Sequence, residues 1–461
     1  MKTETFTRRS WINVGPEIAF EWHARPGAFE RLSPPWRWVE IVGNRGGIET
    51  GARLDLLMKV GPFRRHWIAE HTEHVPGRLF RDVQRRGPFA HWQHTHRFEP
   101  DGRGAWLVDQ VEYAVPGGAL GKLCAGSFVR RELERLFRYR HSITLNDLTL
   151  HAAQGGSKIM HVAVTGATGL VGSSLVALLT SGGHRVTRLV RQSSRTPTPG
   201  VSDSIWSPDS GQIDRSALEG VDAVVHLAGE NIAAGRWTAA QKARIRESRV
   251  KGTRLLSETL AGLARPPKVF VSASAIGWYG DRGSEGLSEA SSLGTGFLAE
   301  VCRDWEAAVE PAEGKGIRVV KLRIGVVLSP KGGALAKMLM PFKLGAGGVM
   351  GNGQQIMSWI SLDDLVGAIH HALVTESLHG PVNAVSPQPV TNRVLTKTLG
   401  RVLSRPTLFP IPAFLARILF GEMADETILS SASIAPKQLL SSGYKFRHPE
   451  LEGALRHLLG R

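Results

Sequence analysis

"HVAVTGATGLVGSSL", His161 to Leu175, is the stretch on which the fold turns. An apolar run, Lys158 to Thr165, reads as a buried strand, and the amphipathic run through Ser181 reads as a helix. Between them stands Gly166-Ala167-Thr168-Gly169-Leu170-Val171-Gly172. In a strand–turn–helix context each glycine has a separate task. Gly166 permits the tight turn, Gly169 lets the backbone approach a diphosphate, and Gly172 lets the helix close on the strand. Thr168, Leu170 and Val171 then fall where a helix amino terminus offers unpaired N–H groups and positive dipole to phosphates.

Working outward, Arg185 to Arg191 reads as the second strand. Its last position would hold an acidic residue if a ribose 2′-OH were to be bound, yet Arg191 stands there, with Arg188 and Arg195 close by. A guanidinium fork suits a 2′-phosphate, which ranks NADP ahead of NAD. Further strands follow at Asp222–Gly229, Lys268–Ser272 and Arg318–Arg323, each preceded by helical periodicity. The expected fold class is α/β, a Rossmann doubly wound parallel sheet with ligands at the carboxyl ends of its strands. Leu227, Ala228, Gly229 and Ser272 would border the cofactor there.

Upstream, alternation replaces the βα pattern. His91–Phe98 and Ala105–Tyr113 read as strands joined at Pro100-Asp101-Gly102, Val60–Trp67 adds another strand start, and Phe128–His141 has helical spacing. Strands followed by a terminal helix predict an α+β domain, a curved sheet wrapped on the helix with an apolar cavity between. The organisation predicted is a first domain over 1–150, a linker over 151–158 and a second domain over 159–461, with a carboxyl-terminal lobe from about 385. In the strand His91–Phe98, His94 and His96 share one face and His91 the other. No third ligand at fixed spacing accompanies them, so no metal is assigned.

The chain has 461 residues, 42% of them hydrophobic, and a formal net charge of +16 spread without a basic block. That exceeds one core and excludes a disordered chain, while no nucleic-acid module accompanies the charge. The start lacks an apolar signal core and no apolar run is long enough to span a membrane. Cys124 and Cys302 stand far apart, so a disulfide framework is excluded and a reducing cytoplasm fits. Oligomeric state is not legible.

The segment "AFEWHARPGAFERLSPPW" (Ala19–Trp36), with the strand-rich middle and terminal helix, resembles the START/polyketide-cyclase superfamily and its helix-grip fold. That resemblance implies an apolar ligand in the first domain. "TGATGLVG", "VDAVVHLAG", "VFVSASAIGWYG" and "WISLDDLVGAI" resemble the extended short-chain dehydrogenase/reductase family. "LAGENIAAGRWTAAQKARIRESRVKGT" (Leu227–Thr253) and "GGVMGNGQQIMSWI" (Gly347–Ile360) narrow this to an epimerase-like subgroup.

The family resemblance implies a Ser or Thr, a Tyr, and a Lys four residues beyond the Tyr. Ser274 stands at the first position, but Gly296–Glu306 holds neither Tyr nor Lys in register. Three substitutes are on offer: Tyr279, near the same strand end, Glu230, after the Ala228-Gly229 turn, and Lys251, on the helix from Thr238 to Leu263. Lys251 reads as part of a charged helix face behind a Thr238/Gln241 capping box. Arg236-Trp237, Gln354-Gln355 and Trp359 are read as a substrate lip, and Asp363 and Asp364 as helix N-caps. The sequence therefore predicts an NADP-binding oxidoreductase or epimerase acting on a small substrate, against a non-catalytic dinucleotide-sensing alternative.

Overall fold

In the computed structural model, residues 3–61, 63–152, 159–193 and 198–461 are described. Most of the predicted linker, and Arg195, lie outside them. The chain divides into two compact units, the boundary falling between a helix that ends at Ala152 and a strand that starts at His161.

The first unit is one antiparallel sheet and one long helix. Strands β1 (Glu4–Ile12), β2 (Val39–Arg45), β3 (Arg53–Val60), β4 (Phe63–Val75), β5 (Leu79–Arg86), β6 (His91–Asp101) and β7 (Gly104–Ala114) pair in the order β1-β7-β6-β5-β4-β3-β2. The β6–β7 hairpin turns at Gly102, whose φ of 61° is the left-handed conformation a side chain would resist. Helices α1 (Pro16–Ala24) and α2 (Ala28–Leu32) follow β1, and α3 runs from Gly118 to Ala152. It is longer than the periodicity of Phe128–His141 suggested, and it takes in the first two residues of the predicted linker.

Alternation along β6 and β7 turns one face towards α3, where Phe6, Trp92, Val111 and Tyr113 bury Leu133, Leu136 and Phe137. A second cluster gathers Phe20, Trp22, Phe80, Phe98 and Ile143, with Phe20 edge-on to both Phe80 and Phe98. Aromatic rings thus stand between the sheet and the helices laid on it. Asp147 of α3 and Arg31 of α2 form a buried two-toothed ion pair at 2.7 and 2.9 Å.

The second unit is the predicted Rossmann sheet. In chain order it begins with β8 (His161–Thr165), α4 (Leu170–Ser181), β9 (Arg185–Val190), β10 (Val201–Ser207), β11 (Gln212–Ile213) and β12 (Ala223–His226). It continues with α5 (Ala239–Ala261), β13 (Val269–Ala275) and α6 (Phe297–Ala307), then the strands Arg318–Ile324 and Gly380–Ala384. The sheet order is β11-β10-β9-β8-β12-β13, then those two strands, and all pairs but β10–β11 are parallel. The order reverses between β8 and β12, where doubly wound sheets open a ligand crevice. Thr238 caps α5 by accepting from Gln241 N at 3.2 Å. The cap of helix Leu362–Val374 is Ser361, which accepts from Asp364 N. Asp363 and Asp364 occupy its first turn, a correction to their assignment as caps; Ser361, two residues before Asp363, has the extended backbone that position needs.

Candidate active site

The phosphate turn is built by close backbone approach. Gly166 has φ 64°, and a Cβ there would lie 2.8 Å from the carbonyl carbon and oxygen of Leu227. A Cβ on Gly172 would meet Gly166 O at 2.2 Å and Ala167 Cα at 2.8 Å. Gly169 is looser, its nearest contact being Gly166 O at 3.2 Å. Thr168 and Gly169 are exposed at the crest, Leu170 and Val171 half-buried behind them, and α4 starts at Leu170. Thr165 Oγ1 ties this turn to the next strand end by accepting from Leu227 N (3.1 Å) and Ala228 N (3.2 Å). It also bonds His226 Nδ1 at 2.7 Å. Burial pushes the His226 imidazole down to about 3, so it sits there neutral.

The two arginines of β9 part company. Arg188 is held by Asp203 at 2.6 Å, whereas Arg191, just past the strand end, is exposed and has no ion pair among the described residues. The second is therefore the guanidinium available to a ligand. The glycine cradle and the free arginine together fit a dinucleotide diphosphate with a further phosphoryl group on its ribose. Gly229 is exposed and Glu230 half-buried at the end of β12, where Glu230 N donates to Ser248 Oγ at 3.0 Å. Ser272 lies inside β13, buried and opposite His226.

Ser274 and Tyr279 are brought together, but through a buried network that commits both hydroxyls. Ser274 Oγ donates to Glu306 Oε1 at 2.7 Å, and Glu306 receives Arg323 Nε at 2.8 Å and Nη2 at 2.9 Å. Arg323 Nη1 donates to Tyr279 OH at 3.1 Å, and that hydroxyl donates to Asn383 Oδ1 at 2.7 Å. The Arg323 guanidinium lies 4.0 Å over the Trp278 ring. Tyr279 is fully buried, and burial raises its phenol above the usual range, the direction opposite to that of a proton-passing tyrosine. The sequence reading missed Glu306, Arg323 and Asn383. The signal was an arginine within the apolar strand Arg318–Ile324 and a glutamate at the end of α6, charges that burial allows only in pairs.

Where the family pattern would place its tyrosine, the start of α6 is occupied otherwise. Glu426 accepts from Phe297 N and Leu298 N at 3.2 Å each, and Trp237 packs edge-on to Phe297 at 5.2 Å. Lys242, Arg246, Phe297, Glu300, Glu422 and Glu426 line an open cleft of about 510 Å³ there. Of the predicted lip, Trp237 is near this cleft. Trp359 is not a lip residue: it is fully buried in the core, with its indole N–H on Gln388 O at 2.9 Å. Gln355 Nε2 donates to the carbonyls of Met350 and Ile428, and Lys251 pairs with Glu247 on the exposed face of α5. Among the described residues no helix is long and apolar enough to cross a membrane.

Residues 162–384 match the family described as NAD dependent epimerase/dehydratase, and residues 12–138 match polyketide cyclase/dehydrase and lipid transport. Residues 411–458 match a domain of unknown function. A solved nucleoside-diphosphate sugar epimerase from Corynebacterium glutamicum is 33% identical, with a TM-score of 0.79 over 99% of this chain and 90% of its own. Human epimerase family protein SDR39U1, solved with NADPH, is 34% identical, with a TM-score of 0.60 over 65% of this chain and 99% of its own. An epimerase family protein of Mycobacterium bovis is 44% identical over 303 residues, which are 65% of this chain and 98% of that protein. The chain belongs to this epimerase family of extended short-chain dehydrogenase/reductase proteins, with a polyketide-cyclase-like unit ahead of its NAD(P)-binding unit.

Proposed function

We propose that the second unit binds NADP(H) and either reduces a small carbonyl-bearing substrate with the reduced form or epimerises a hydroxyl-bearing one by passing hydride to the oxidised form and back. The observation that carries this reading is the pairing of the Gly166–Gly172 cradle with an unengaged Arg191. The NADPH in the human relative supports it. Gly166, Thr168, Gly169, Leu170, Val171 and Gly172 would grip the diphosphate, Arg191 the 2′-phosphate, and Leu227, Ala228 and Gly229 the side of the crevice. When bound, the cofactor supplies a hydride donor or acceptor at its nicotinamide ring. Glu230, half-buried beyond Gly229, is the residue we assign to give or take the accompanying proton. Ser274 and Tyr279 hold the strand ends in place through Glu306 and Arg323, acting as positioning residues. Two thiols with no disulfide and no membrane-crossing helix among the described residues accord with a cytoplasmic site of action.

The test separates binding from chemistry. NADPH oxidation is followed across a panel of carbonyl compounds, and inversion of hydroxyl-bearing carbons in the presence of NADP⁺ across a panel of alcohols, with Glu230→Gln alongside. Turnover that disappears in Glu230→Gln while NADPH affinity stays unchanged is the expected result. The second reading, a dinucleotide-sensing protein without turnover, draws on the engaged hydroxyls of Ser274 and Tyr279. It predicts tight NADPH binding with neither oxidation nor inversion of any substrate.

A further inference from the structure

The first unit carries a constellation that its apolar interior does not explain. Cross-strand register sets His71 of β4 opposite Asp82 of β5, Asp82 opposite His94 of β6, and His96 of β6 opposite Asp109 of β7. Residues two apart on a strand share a face, so His94 and His96 point the same way, towards α3. That helix adds His141. His94 Nδ1 stands 3.3 Å from Asp82 Oδ1, and His94 Nε2 2.9 Å from Asp109 Oδ1. His96 Nδ1 is 2.5 Å from Asp109 Oδ1, and His141 Nε2 is 2.7 Å from Asp109 Oδ2. The side chains of His94, His96, Asp109 and His141 are at most 9% exposed, and that of Asp82 14%. Two carboxylates at this depth lie within reach of three imidazoles and of the field of the Arg140 guanidinium.

We propose that Asp82, His94 and His96 form a binding site for a divalent first-row transition ion of the zinc class. One donor atom from each of the three lies within 4.8 Å of the others. Donors on a tetrahedral ion at about 2.0–2.2 Å stand roughly 3.3–3.6 Å apart, so side-chain shifts of up to about an ångström close the site. Asp109 plays the outer part. By hydrogen-bonding Nε2 of His94 it leaves that ring's Nδ1 facing Asp82, while His96 Nδ1 has no hydrogen-bond partner among the described residues. Two imidazoles and one carboxylate are a donor set for zinc, iron(II) or manganese, with positions left open. An independent observation points the same way: His71, directly across from Asp82, has a buried Nδ1 with no hydrogen-bond partner among the described residues. It is a further donor on the same row. Binding replaces the proton that His94 Nδ1 otherwise shares with Asp82, so uptake releases a proton to solvent.

The experiment titrates the full chain, after dialysis against a chelator, with Zn²⁺ by calorimetry and with Co²⁺ by visible absorption. One equivalent of either ion per chain, and intense ligand-field bands for cobalt, is the result expected. His96→Ala and Asp82→Asn should abolish that equivalent, and Asp109→Asn should weaken it about 10- to 100-fold. His91→Ala, on the other face of β6, and His457→Ala, in the other unit, should leave it intact. Circular dichroism and thermal unfolding report whether each variant is folded. Should a ligand variant fail to fold, the cobalt spectrum of the unaltered chain still decides. No saturable uptake, or uptake unchanged by His96→Ala and Asp82→Asn, would overturn the proposal and leave a proton-linked network in its place.

Discussion

Gly172→Ala puts the cradle to its hardest test. The new methyl group would sit 2.2 Å from Gly166 O and 2.8 Å from both Ala167 Cα and the Gly166 carbonyl carbon. Ordinary contacts for such atoms begin near 3.4 Å, and every atom in the way is backbone, so no rotamer relieves the clash. The turn itself must move by about an ångström, taking with it the amides that would face the diphosphate. Overpacking of this kind costs about 1–3 kcal/mol. If it falls on the binding-competent turn, NADPH affinity drops roughly 5- to 150-fold. Fluorescence titration with NADPH measures the loss, and thermal unfolding shows how much of the cost falls on the fold instead. Gly169→Ala is the built-in comparison, since its nearest contact is 3.2 Å and its backbone is not left-handed; a much smaller loss is expected there. The reasoning is refuted if Gly172→Ala binds NADPH within about twofold of the parent and melts at the same temperature.

Other consequences are as concrete. Glu306→Gln leaves the Arg323 guanidinium buried without its carboxylate, which should cost about 3–5 kcal/mol in denaturant unfolding, against about 1 kcal/mol for Tyr279→Phe. Burial pushes the Cys302 thiol up to about 12, so at neutral pH an alkylating reagent should label the exposed Cys124 and leave Cys302 unmodified until the chain unfolds. His226 is neutral in the fold, at about 3, and takes up a proton on unfolding below its ordinary 6.5. Its contribution is intact above pH 6.5 and is lost as the pH falls from 6.5 towards 3, by about 1.4 kcal/mol per unit. Urea titrations at pH 7 and 5 should show a shallower acid loss in His226→Asn.

Much of the second unit could be read from local signals because its rules are local. Glycines at 166, 169 and 172 between a strand and a helix admit few folds, and the β8-to-β13 order follows from βα spacing. Thr238 and Gln241 announced a helix start by their separation alone. What stayed hidden depends on tertiary pairing. Arg323 and Glu306 are ordinary surface residues in any sequence window, and only the sheet makes them buried partners. Trp359 looked like a lip residue because glycines and glutamines precede it, yet the fold turns its ring into the core. His94 and His96 showed a shared face, but Asp82 and Asp109 reach them from neighbouring strands whose register no spacing rule supplies. The amino-terminal turns of α3 lay outside its legible stretch because they are exposed and lack periodicity, while its carboxyl-terminal turns bury Ile143, Asp147 and Leu148 among polar neighbours.

The most direct measurement is calorimetry of the full chain with NADPH and with NADH, repeated on Arg191→Ala. Saturable NADPH binding, at least about tenfold tighter than NADH, with that preference lost in the variant, is what the cradle and its free guanidinium predict. Failure of both nucleotides to bind the unaltered chain would contradict the assignment of the crevice between β8 and β12.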